Sequence, residues 1–403
     1  MTGILAGLSI VEGSAFVAAP LGGMTLAQLG ADVIRFDQIE GGLDRHRWPL
    51  APSGESLFWT GLNKGKRSIR VNLRAAEGQE IVARLAPRPG PDAGIFLTNL
   101  PARGLLTYEA LRARRADLIM AHLTGNPDGS SEVDYTVNAA VGFPLVTGPR
   151  DSGAPVNSVL PAWDIAMGEM AAVGILAALR QRDRSGTGSL VRLALSDVAL
   201  SAACALGRLA QAQLGDEPKP DGNHLYGAFG LDFPTRDGRR VMVVGLTRRQ
   251  WQALCGATGL DDASLAARTG LDLASESNRY KARDAIAAAL APWFAARDFA
   301  EVTQLLTAGN VSWGPYQSFR QLVTEDPRAS AQNSLFSFIG QPGVGTVLAA
   351  GSPLDFSCAP RPPARPAPRL GQHTDQILGE LGYTAGEIGA LKDRGVVRGP
   401  DPG

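Results

Sequence analysis

Cysteine and histidine are scarce in this sequence, and their scarcity limits the chemistry that the chain can perform. Only three cysteines occur among 403 residues, and Cys204, Cys255 and Cys358 stand far apart. An odd number of scattered cysteines argues against a disulfide framework or a CxxC metal site. The four histidines show no spacing typical of metal ligands. We therefore predict a reducing, cytoplasmic setting and no bound metal.

An excess charge of one sign and a long apolar run are also lacking. Lys plus Arg and Asp plus Glu number 39 each, so we expect no nucleic-acid partner. No run approaches the ~18 apolar residues of a membrane span, and the N-terminus shows no signal-peptide pattern, so we expect no membrane partner. Apolar residues at 44% and charged residues at 19% are typical of a globular enzyme with a sizeable core.

Strand and helix patterns alternate through residues 1–125. A strand at 8–11, a helix ending near Leu29 and a strand at 31–36 form a β–α–β unit, and similar units follow it. Such repetition predicts an α/β fold with a doubly wound parallel sheet of five or six strands. No G-x-G-x-x-G follows the first strand, so the dinucleotide fingerprint is absent. The polar segment 215–222 is the best linker, and we predict a smaller second domain over 216–311.

The first candidate functional residue is Asp164. Pro161 blocks helix upstream, and an apolar, alanine-rich helix runs on to about Gln181, which we predict to be mostly buried. Asp164 therefore falls at or beside the first helical position, where free N–H groups favour an anion. The carboxylate is either a helix cap, worth about 1 kcal/mol, or a nucleophile that forms an acyl anhydride. The segment alone favours the cap, because caps are far commoner.

A second candidate is the cationic turn at 63–67, Asn-Lys-Gly-Lys-Arg, which leads into a strand. Three cations within four positions on a glycine-containing turn suit a phosphate cluster, and the alternative is a solvated hairpin. Ile69, Val71 and Leu73 alternate with polar residues, which predicts a strand with one buried face.

Taken together, several segments resemble the family III CoA-transferases, the group of formyl-CoA transferase and α-methylacyl-CoA racemase. The segments are LAQLGADVI at 26–34, NKGKRS at 63–68, TNLPARG at 98–104, Asp164 with Gly168, RSGTG at 184–188 and LGQHT at 370–374. The stretches at 11–24, 41–49, 132–138 and 225–230 resemble an intramolecular branch of that family still more closely.

The resemblance implies a fold and a reaction. The fold would be an interlocked homodimer whose chains each have a Rossmann-like large domain over 1–215, a small α+β domain over 216–311 and a return segment over 312–403. The substrate would be an acyl-CoA thioester of a small branched dicarboxylic acid, with coenzyme A as part of the substrate and no prosthetic group. The reaction would convert mesaconyl-C1-CoA (2-methylfumaryl-CoA) into mesaconyl-C4-CoA (3-methylfumaryl-CoA) through an aspartyl anhydride and an aspartyl-CoA thioester.

The resemblance also implies roles for individual residues. Asp164 would be the nucleophile, ionised at its ordinary pKa of about 3.9. Arg47 would bind the free carboxylate of the acyl group, although a surface arginine is the alternative. The Gly-rich loop with Tyr226, Gly227 and Gly230 would cover the site, or it is a plain interdomain turn. The CoA contacts would come from Val17, Ala18, Asn63, Lys64, Lys66, Arg67, Asn99, Leu100 and Arg103.

Three other functions compete with this one. An intermolecular transferase would move CoA between two separate acids, and a non-catalytic CoA-binding protein would use Asp164 only as a cap. A racemase is disfavoured because Val133-Asp134 stands where the racemase branch has a His-Asp pair, so one of two bases is missing. The acyl group could also be that of a neighbouring acid such as citraconate or itaconate.

Overall fold

The computed structural model describes residues 3–401. The strands are β1 Ser9–Gly13, β2 Asp32–Asp37, β3 Arg67–Val71, β4 Ile95–Thr98, β5 Ile119–Thr124, β6 Ser189–Ala194, β7 Phe229–Pro234, β8 Arg240–Gly245, β9 Ser312–Tyr316, β10 Phe336–Gln341, β11 Gly345–Ala350 and β12 Val397–Arg398. The helices are α1 Ala18–Gln28, α2 Leu57–Leu62, α3 Ala76–Leu85, α4 Tyr108–Arg114, α5 Asp134–Ala140, α6 Ala162–Ser185, α7 Leu195–Ala205, α8 Arg208–Gln213, α9 Arg248–Thr258, α10 Asp262–Thr269, α11 Glu276–Lys281, α12 Arg283–Ala295, α13 Phe299–Ala308, α14 Phe319–Glu325, α15 Thr374–Glu380 and α16 Ala385–Asp393.

The chain divides into two units. The first unit combines Met1–Val141, Ser158–Asp216 and Pro327–Gly403, and the second combines Gly142–Asn157 and Glu217–Asp326. The sequence analysis placed the small domain at 216–311, so the two descriptions differ in the segment 142–157 and in the later boundary. The later boundary moves because β9 pairs with β8 and therefore belongs to the sheet of the second unit.

The first unit is built on a seven-stranded sheet in the order β12-β3-β2-β1-β4-β5-β6. Strands β1 to β6 are parallel, and β12 joins antiparallel beside β3. Helices α1, α5, α6 and α7 contribute to the core on one face, and α3, α4, α15 and α16 to the core on the other. The predicted α/β class and doubly wound parallel sheet are confirmed.

Strand β3 corrects one expectation of the sequence analysis. Its polar residue Arg70 is only 1% exposed, so the strand is buried on both faces rather than one. The guanidinium of Arg70 donates to the carbonyls of Ile39 and Gly399 and pairs with Asp401. The C-terminal segment therefore covers the side of β3 that the alternation assigned to solvent.

Helix α6 is the second correction. It is less buried than predicted, because Met170 and Val173 on its outer side are 51% and 62% exposed. Its inner side, with Met167, Ala171 and Ile175, packs into the core of the first unit. By length and composition α6 is the one helix among residues 3–401 that could cross a membrane.

The second unit contains an antiparallel sheet in the order β7-β8-β9. Helices α9, α10, α12 and α13 contribute to a core of its own, in which the rings of Phe233 and Phe294 stack at 4.5 Å between centroids. The turn at Asp237-Gly238 connects the antiparallel strands β7 and β8.

Candidate active site

The sheet of the first unit has a switch point between β1 and β4. The chain adds β2 and β3 on one side of β1 and then β4, β5 and β6 on the other. In open α/β sheets the crevice beyond the carboxyl ends of the strands at such a point is where ligands bind. The loop after β1 leads to Val17 and Ala18, and the loop after β4 begins with Asn99 and Leu100. Four of the predicted CoA residues therefore lie at this edge.

Asp164 reaches the same edge through α6. The helix ends at Ser185, just before the parallel strand β6 begins at Ser189, so the opposite end of the helix points toward the carboxyl ends of the strands. Glycine allows α6 to approach α1 closely. A Cβ on Gly168 would lie 2.7 Å from the carbonyl oxygen of Ala18, and one on Gly22 would lie 2.8 Å from the carbonyl oxygen of Gly168.

The start of α6 is capped by a residue that is distant in sequence. Pro161 stands at the N-cap position and offers no side-chain acceptor. The buried carboxylate of Asp134 accepts instead, from the N–H groups of Trp163 at 2.8 Å and Asp164 at 3.0 Å. The capping function considered for Asp164 is thus performed by Asp134. No side-chain hydrogen bond of Asp164 occurs within residues 3–401, so its carboxylate has not been committed to a structural contact.

The surroundings of Asp164 alter its acidity. Burial, and after it the negative charge of Asp134, raise the pKa of its carboxyl, the positive charge of Arg47 opposes the rise, and the net result is a pKa raised from 3.8 to about 6. The ordinary pKa assumed in the sequence analysis is therefore corrected. With a pKa of about 6 the group is still about 90% ionised at pH 7. A desolvated carboxylate of raised basicity that remains ionised is suited to act as a nucleophile.

Arg47 lies in the exposed loop between β2 and α2. Both polar backbone groups of Arg47 are hydrogen-bonded. Its N–H donates to the carbonyl of Asp44 at 3.1 Å, and its carbonyl accepts from the hydroxyl of Ser56. Its guanidinium carbon lies 5.7 Å from the ring centroid of Phe16 and 5.1 Å from that of Phe58. In the part of the chain that the structure describes, Arg47 forms no ion pair. The cation is close enough to affect Asp164 but is not paired with it.

The loop after β1 is held in an unusual conformation. Phe16 has a φ of 65°, a region that bulky residues rarely occupy, and its N–H donates to Asp44 at 3.1 Å. Asn99 fixes the preceding residue, because its amide oxygen accepts from the N–H of Ala15 at 2.9 Å and its amide nitrogen donates to the Ala15 carbonyl at 2.8 Å. Asn99 therefore shapes this loop.

The remaining predicted CoA residues at this edge differ in accessibility. Val17 and Ala18 are buried at the start of α1, and Leu100 is half-buried. Arg103 is exposed, and no described acidic residue forms an ion pair with it. Of the predicted cations, Arg103 is the one that the structure leaves accessible beyond a strand end.

The structure argues against phosphate contacts by Lys66 and Asn63. The ammonium of Lys66 is fully buried and donates to Glu12 at 2.7 Å, the Pro20 carbonyl at 2.8 Å and the Asn63 side chain at 2.9 Å. Burial lowers the pKa of Lys66 to about 8, and the contact with Glu12 opposes that fall. Asn63 is fully buried and also accepts from Arg35 at 3.1 Å. Both side chains belong to an internal polar network that a phosphate cannot enter.

Lys64 precedes β3 and Arg67 is its first residue, so both lie at the amino end of that strand. Arg67 forms ion pairs with Asp32 at 2.6 Å and with Glu380 at 2.7 Å. Lys64 donates to the Gly61 carbonyl at 2.7 Å, and burial lowers the pKa of its ammonium. A cavity of about 600 Å³ beside Arg67 is lined by Asp32, Arg88 and Arg365 among others, and Asp164 is not part of it. The cationic turn and the nucleophile candidate are therefore not brought to one site.

The Gly-rich loop lies in the second unit. Tyr226 is half-exposed, and its ring meets that of Tyr280 edge-on at 5.4 Å between centroids. Gly227 has a φ of 81°, and a Cβ on Gly230 would lie 2.8 Å from the Cβ of Leu225. The conformation of this loop thus depends on both glycines.

Comparison with known proteins identifies the family. The model of CoA-transferase family III matches residues 5–374, and the chain belongs to this family. The chain is 56% identical to 2-methylfumaryl-CoA isomerase of Chloroflexus aurantiacus, over 100% of this chain and 99% of that protein. It is 31% identical to succinate–glutarate CoA-transferase of Agrobacterium fabrum, over 94% and 95% of the two chains. A crystal structure of a CAIB/BAIF family protein from Brucella suis, 27% identical, superposes with a TM-score of 0.76 over 94% of this chain and 100% of that chain.

Sequence reasoning missed three residues at this site. Asp134 was noted only for the histidine missing before it, and nothing local signals that it caps a helix that begins 28 residues later. Phe16 and Phe58 resembled ordinary apolar residues, since the contact with Arg47 joins three segments that only the fold brings together.

Proposed function

We propose that this protein catalyses intramolecular CoA transfer, converting 2-methylfumaryl-CoA into 3-methylfumaryl-CoA. The observation that carries the proposal is that a carboxylate and a cation, each without an ionic partner in the described part of the chain, lie at one edge of the sheet. Asp164 is a desolvated carboxylate free of side-chain hydrogen bonds to residues 3–401, and Arg47 is a nearby cation that no described carboxylate neutralises. The Asp164 carboxylate suits acyl transfer, and the Arg47 cation suits a substrate that carries a second carboxylate. The identity of 56% with a 2-methylfumaryl-CoA isomerase supports the same substrate.

The proposed reaction begins when the Asp164 carboxylate attacks the thioester carbonyl and expels CoA thiolate, forming a mixed anhydride. The thiolate then attacks the aspartyl carbonyl, which gives aspartyl-CoA and releases the dicarboxylate inside the site. The other carboxylate of that molecule attacks aspartyl-CoA, expels the thiolate and forms an anhydride at its new end. The thiolate attacks the acyl carbonyl, which yields the isomeric thioester and restores Asp164. No proton, water molecule or electron is gained or lost over the cycle.

The proposal gives the neighbouring residues distinct tasks. Arg47 binds the free carboxylate of the acyl group through its N–H donors. Arg103, Leu100 and the backbone at Val17 and Ala18 contact CoA. The covering function of Tyr226, Gly227 and Gly230 stays a prediction of the family resemblance, because these residues belong to the second unit. Lys64 and Arg67 are kept only as weaker candidates for the CoA phosphates, since they lie on the amino side of β3.

The test uses purified protein and mesaconyl-C1-CoA, with and without labelled free mesaconate. Chromatography should show the C4 ester without free acid, and no label should enter the product. Label incorporation, with isomerisation only when acid is added, would instead establish the intermolecular transferase as the function. Asp164→Asn is the matched variant, because it keeps the shape of the side chain while removing the nucleophile. Full activity in this variant would refute the assigned nucleophile.

We also propose that two copies of the chain form a homodimer. Support comes from what we call the α6–α8 apolar face, a set of exposed apolar residues on and beside three helices of the first unit: Met170, Val173, Leu200, Leu206, Leu209 and Leu214. Exposed apolar residues concentrated on successive helices are typical of an interface. We further propose a cytoplasmic location, which the three unpaired cysteines support.

A further inference from the structure

Arg47 and Asp164 carry opposite charges but do not form an ion pair with each other. A cation beside a partly buried carboxylate normally closes onto it, because the paired state offers charge-assisted hydrogen bonds. Such a pair would lower the basicity of Asp164 and occupy the donors of Arg47. The positive charge of Arg47 acts to lower the pKa of Asp164, yet the two groups form no ion pair, and the pKa of Asp164 is raised despite the cation. Something must therefore hold the guanidinium in place.

Two aromatic rings contact the guanidinium. Phe16 approaches from the loop after β1 and Phe58 from the first turn of α2, at centroid distances of 5.7 Å and 5.1 Å. The face of an aromatic ring attracts a cation without using its N–H donors. The rings can therefore hold Arg47 while its donors stay free for an incoming carboxylate.

Hydrogen bonds fix the two backbone segments that carry Phe16 and Phe58. The N–H of Phe16 donates to Asp44, and the same carboxylate accepts from the buried Arg35 at 3.0 Å, which stabilises the left-handed conformation. Phe58 follows Ser56, whose hydroxyl accepts from the N–H of Trp59 at 3.0 Å and donates to the carbonyl of Arg47. Ser56 thus ties the helix that carries Phe58 to the backbone of Arg47.

We propose that Phe16 and Phe58 are positioning residues that hold the Arg47 guanidinium clear of Asp164, so that it remains available to the far carboxylate of a dicarboxylic acyl-CoA. The availability of Arg47 to a substrate carboxylate rests on the proposed function, whereas the separation of Arg47 from Asp164 does not. The charged groups that influence Asp164 are Asp134 on α5 and Arg47 on the β2–α2 loop.

The test measures the pKa of Asp164 directly, without substrate. Aspartate carboxyl carbons are labelled with ¹³C and titrated by NMR, and the Asp164 signal is assigned by its loss in Asp164→Asn. In Phe16→Ala/Phe58→Ala the freed guanidinium should pair with Asp164 and lower its pKa by about one unit or more. Adding Arg47→Gln to this double variant should abolish the fall. Phe338→Ala, an exposed phenylalanine on β10, is the control and should leave the pKa unchanged.

Two outcomes would overturn the proposal. One is an unchanged pKa in the double variant, and the other is a fall that Arg47→Gln does not reverse. If the alanine variants fail to fold, Phe16→Leu/Phe58→Leu keeps the apolar bulk and removes the aromatic faces, and the same fall in the pKa of Asp164 is expected.

Activity is measured separately: KM for the dicarboxylic ester should rise about tenfold, with a smaller effect on a monocarboxylic ester. A protein without isomerase activity that shows the pKa fall would refute the proposed function and leave the positioning function intact.

Discussion

Opposing influences set the charge of Asp164. Burial and the Asp134 carboxylate favour the protonated form, while Arg47 favours the ionised form. The balance leaves a carboxylate that is more basic than a surface aspartate and still charged at neutral pH. A fully solvated aspartate would be a weaker base, and a fully buried one would be protonated and inert. Asp164 lies between these limits.

The first prediction concerns pH. Because Asp164 must be ionised to act as the proposed nucleophile, log kcat/KM should rise with slope one below pH 6 and level off above it, with about a tenfold loss at pH 5. Asp134→Asn keeps a side-chain acceptor for the cap and removes the charge, so the midpoint should move to lower pH. A pH–rate profile of both proteins checks this. An acid limb near pH 4 in the wild type would contradict the raised pKa.

The second prediction concerns stability. Since the pKa of Asp164 is higher in the folded state than its unfolded value of 3.8, unfolding releases a proton between about pH 4 and 6 and stability falls as pH rises through that range. Asparagine does not titrate, so Asp164→Asn should not lose stability in this way as pH rises. The variant should be more stable than wild type at pH 8, by up to about 3 kcal/mol, and equally stable near pH 3. Urea unfolding at both pH values measures the difference, and equal stability at pH 8 would count against it.

At the scale of elements, the α1–α6 contact determines where Asp164 lies. Both helices bring glycine to the contact, at Gly22 and Gly168, and their backbones meet there without side chains between them. The start of α6 is then fixed by Asp134 from α5. The glycine contact and the Asp134 cap together fix the backbone that carries Asp164.

The third prediction follows from this contact. Gly168→Ala would bring a Cβ within 2.7 Å of the Ala18 carbonyl, so α6 must move away from α1. We expect a loss of about 1–3 kcal/mol of stability and a larger loss of kcat, because Asp164 moves with its helix. Gly379→Ala in α15 is the control: nothing lies within 4 Å of its Cβ, and alanine favours helix. Equal stability and activity in the two variants would show that the close approach is unimportant.

At the scale of the whole molecule, the α6–α8 apolar face is the feature that a single chain leaves unexplained. Helix α6 contributes one side to the core of its own unit and exposes apolar residues on the other. An apolar face of this kind calls for a partner surface, and a second copy would place two such faces together.

The fourth prediction tests that assembly. Val173→Glu places a charge on the α6–α8 apolar face and should convert a dimer into monomers in sedimentation velocity at micromolar concentration. Phe338→Glu changes an equally exposed residue outside that face and should leave the dimer intact. A wild-type protein that sediments as a monomer would refute the homodimer.

Much of the fold and one part of the site could be predicted from local patterns. The period-two and helical repeats placed β1, β2, β4, β5 and their helices, because apolar periodicity directly reflects which side of an element is buried. Pro161 located the start of α6 and thereby Asp164, since proline acts on its own neighbours in the chain.

The tertiary structure alone decided the partners of polar residues. Lys66 was assigned to a phosphate cluster, yet it points inward to Glu12, and Arg70 was assigned to a solvent face, yet the C-terminal segment covers it. The charge on Asp164 depends on Asp134 and Arg47, which are remote in sequence. Local sequence determines the type of an element and its apolar side. The partners of a buried charge come from distant segments, and only packing brings them within hydrogen-bond distance.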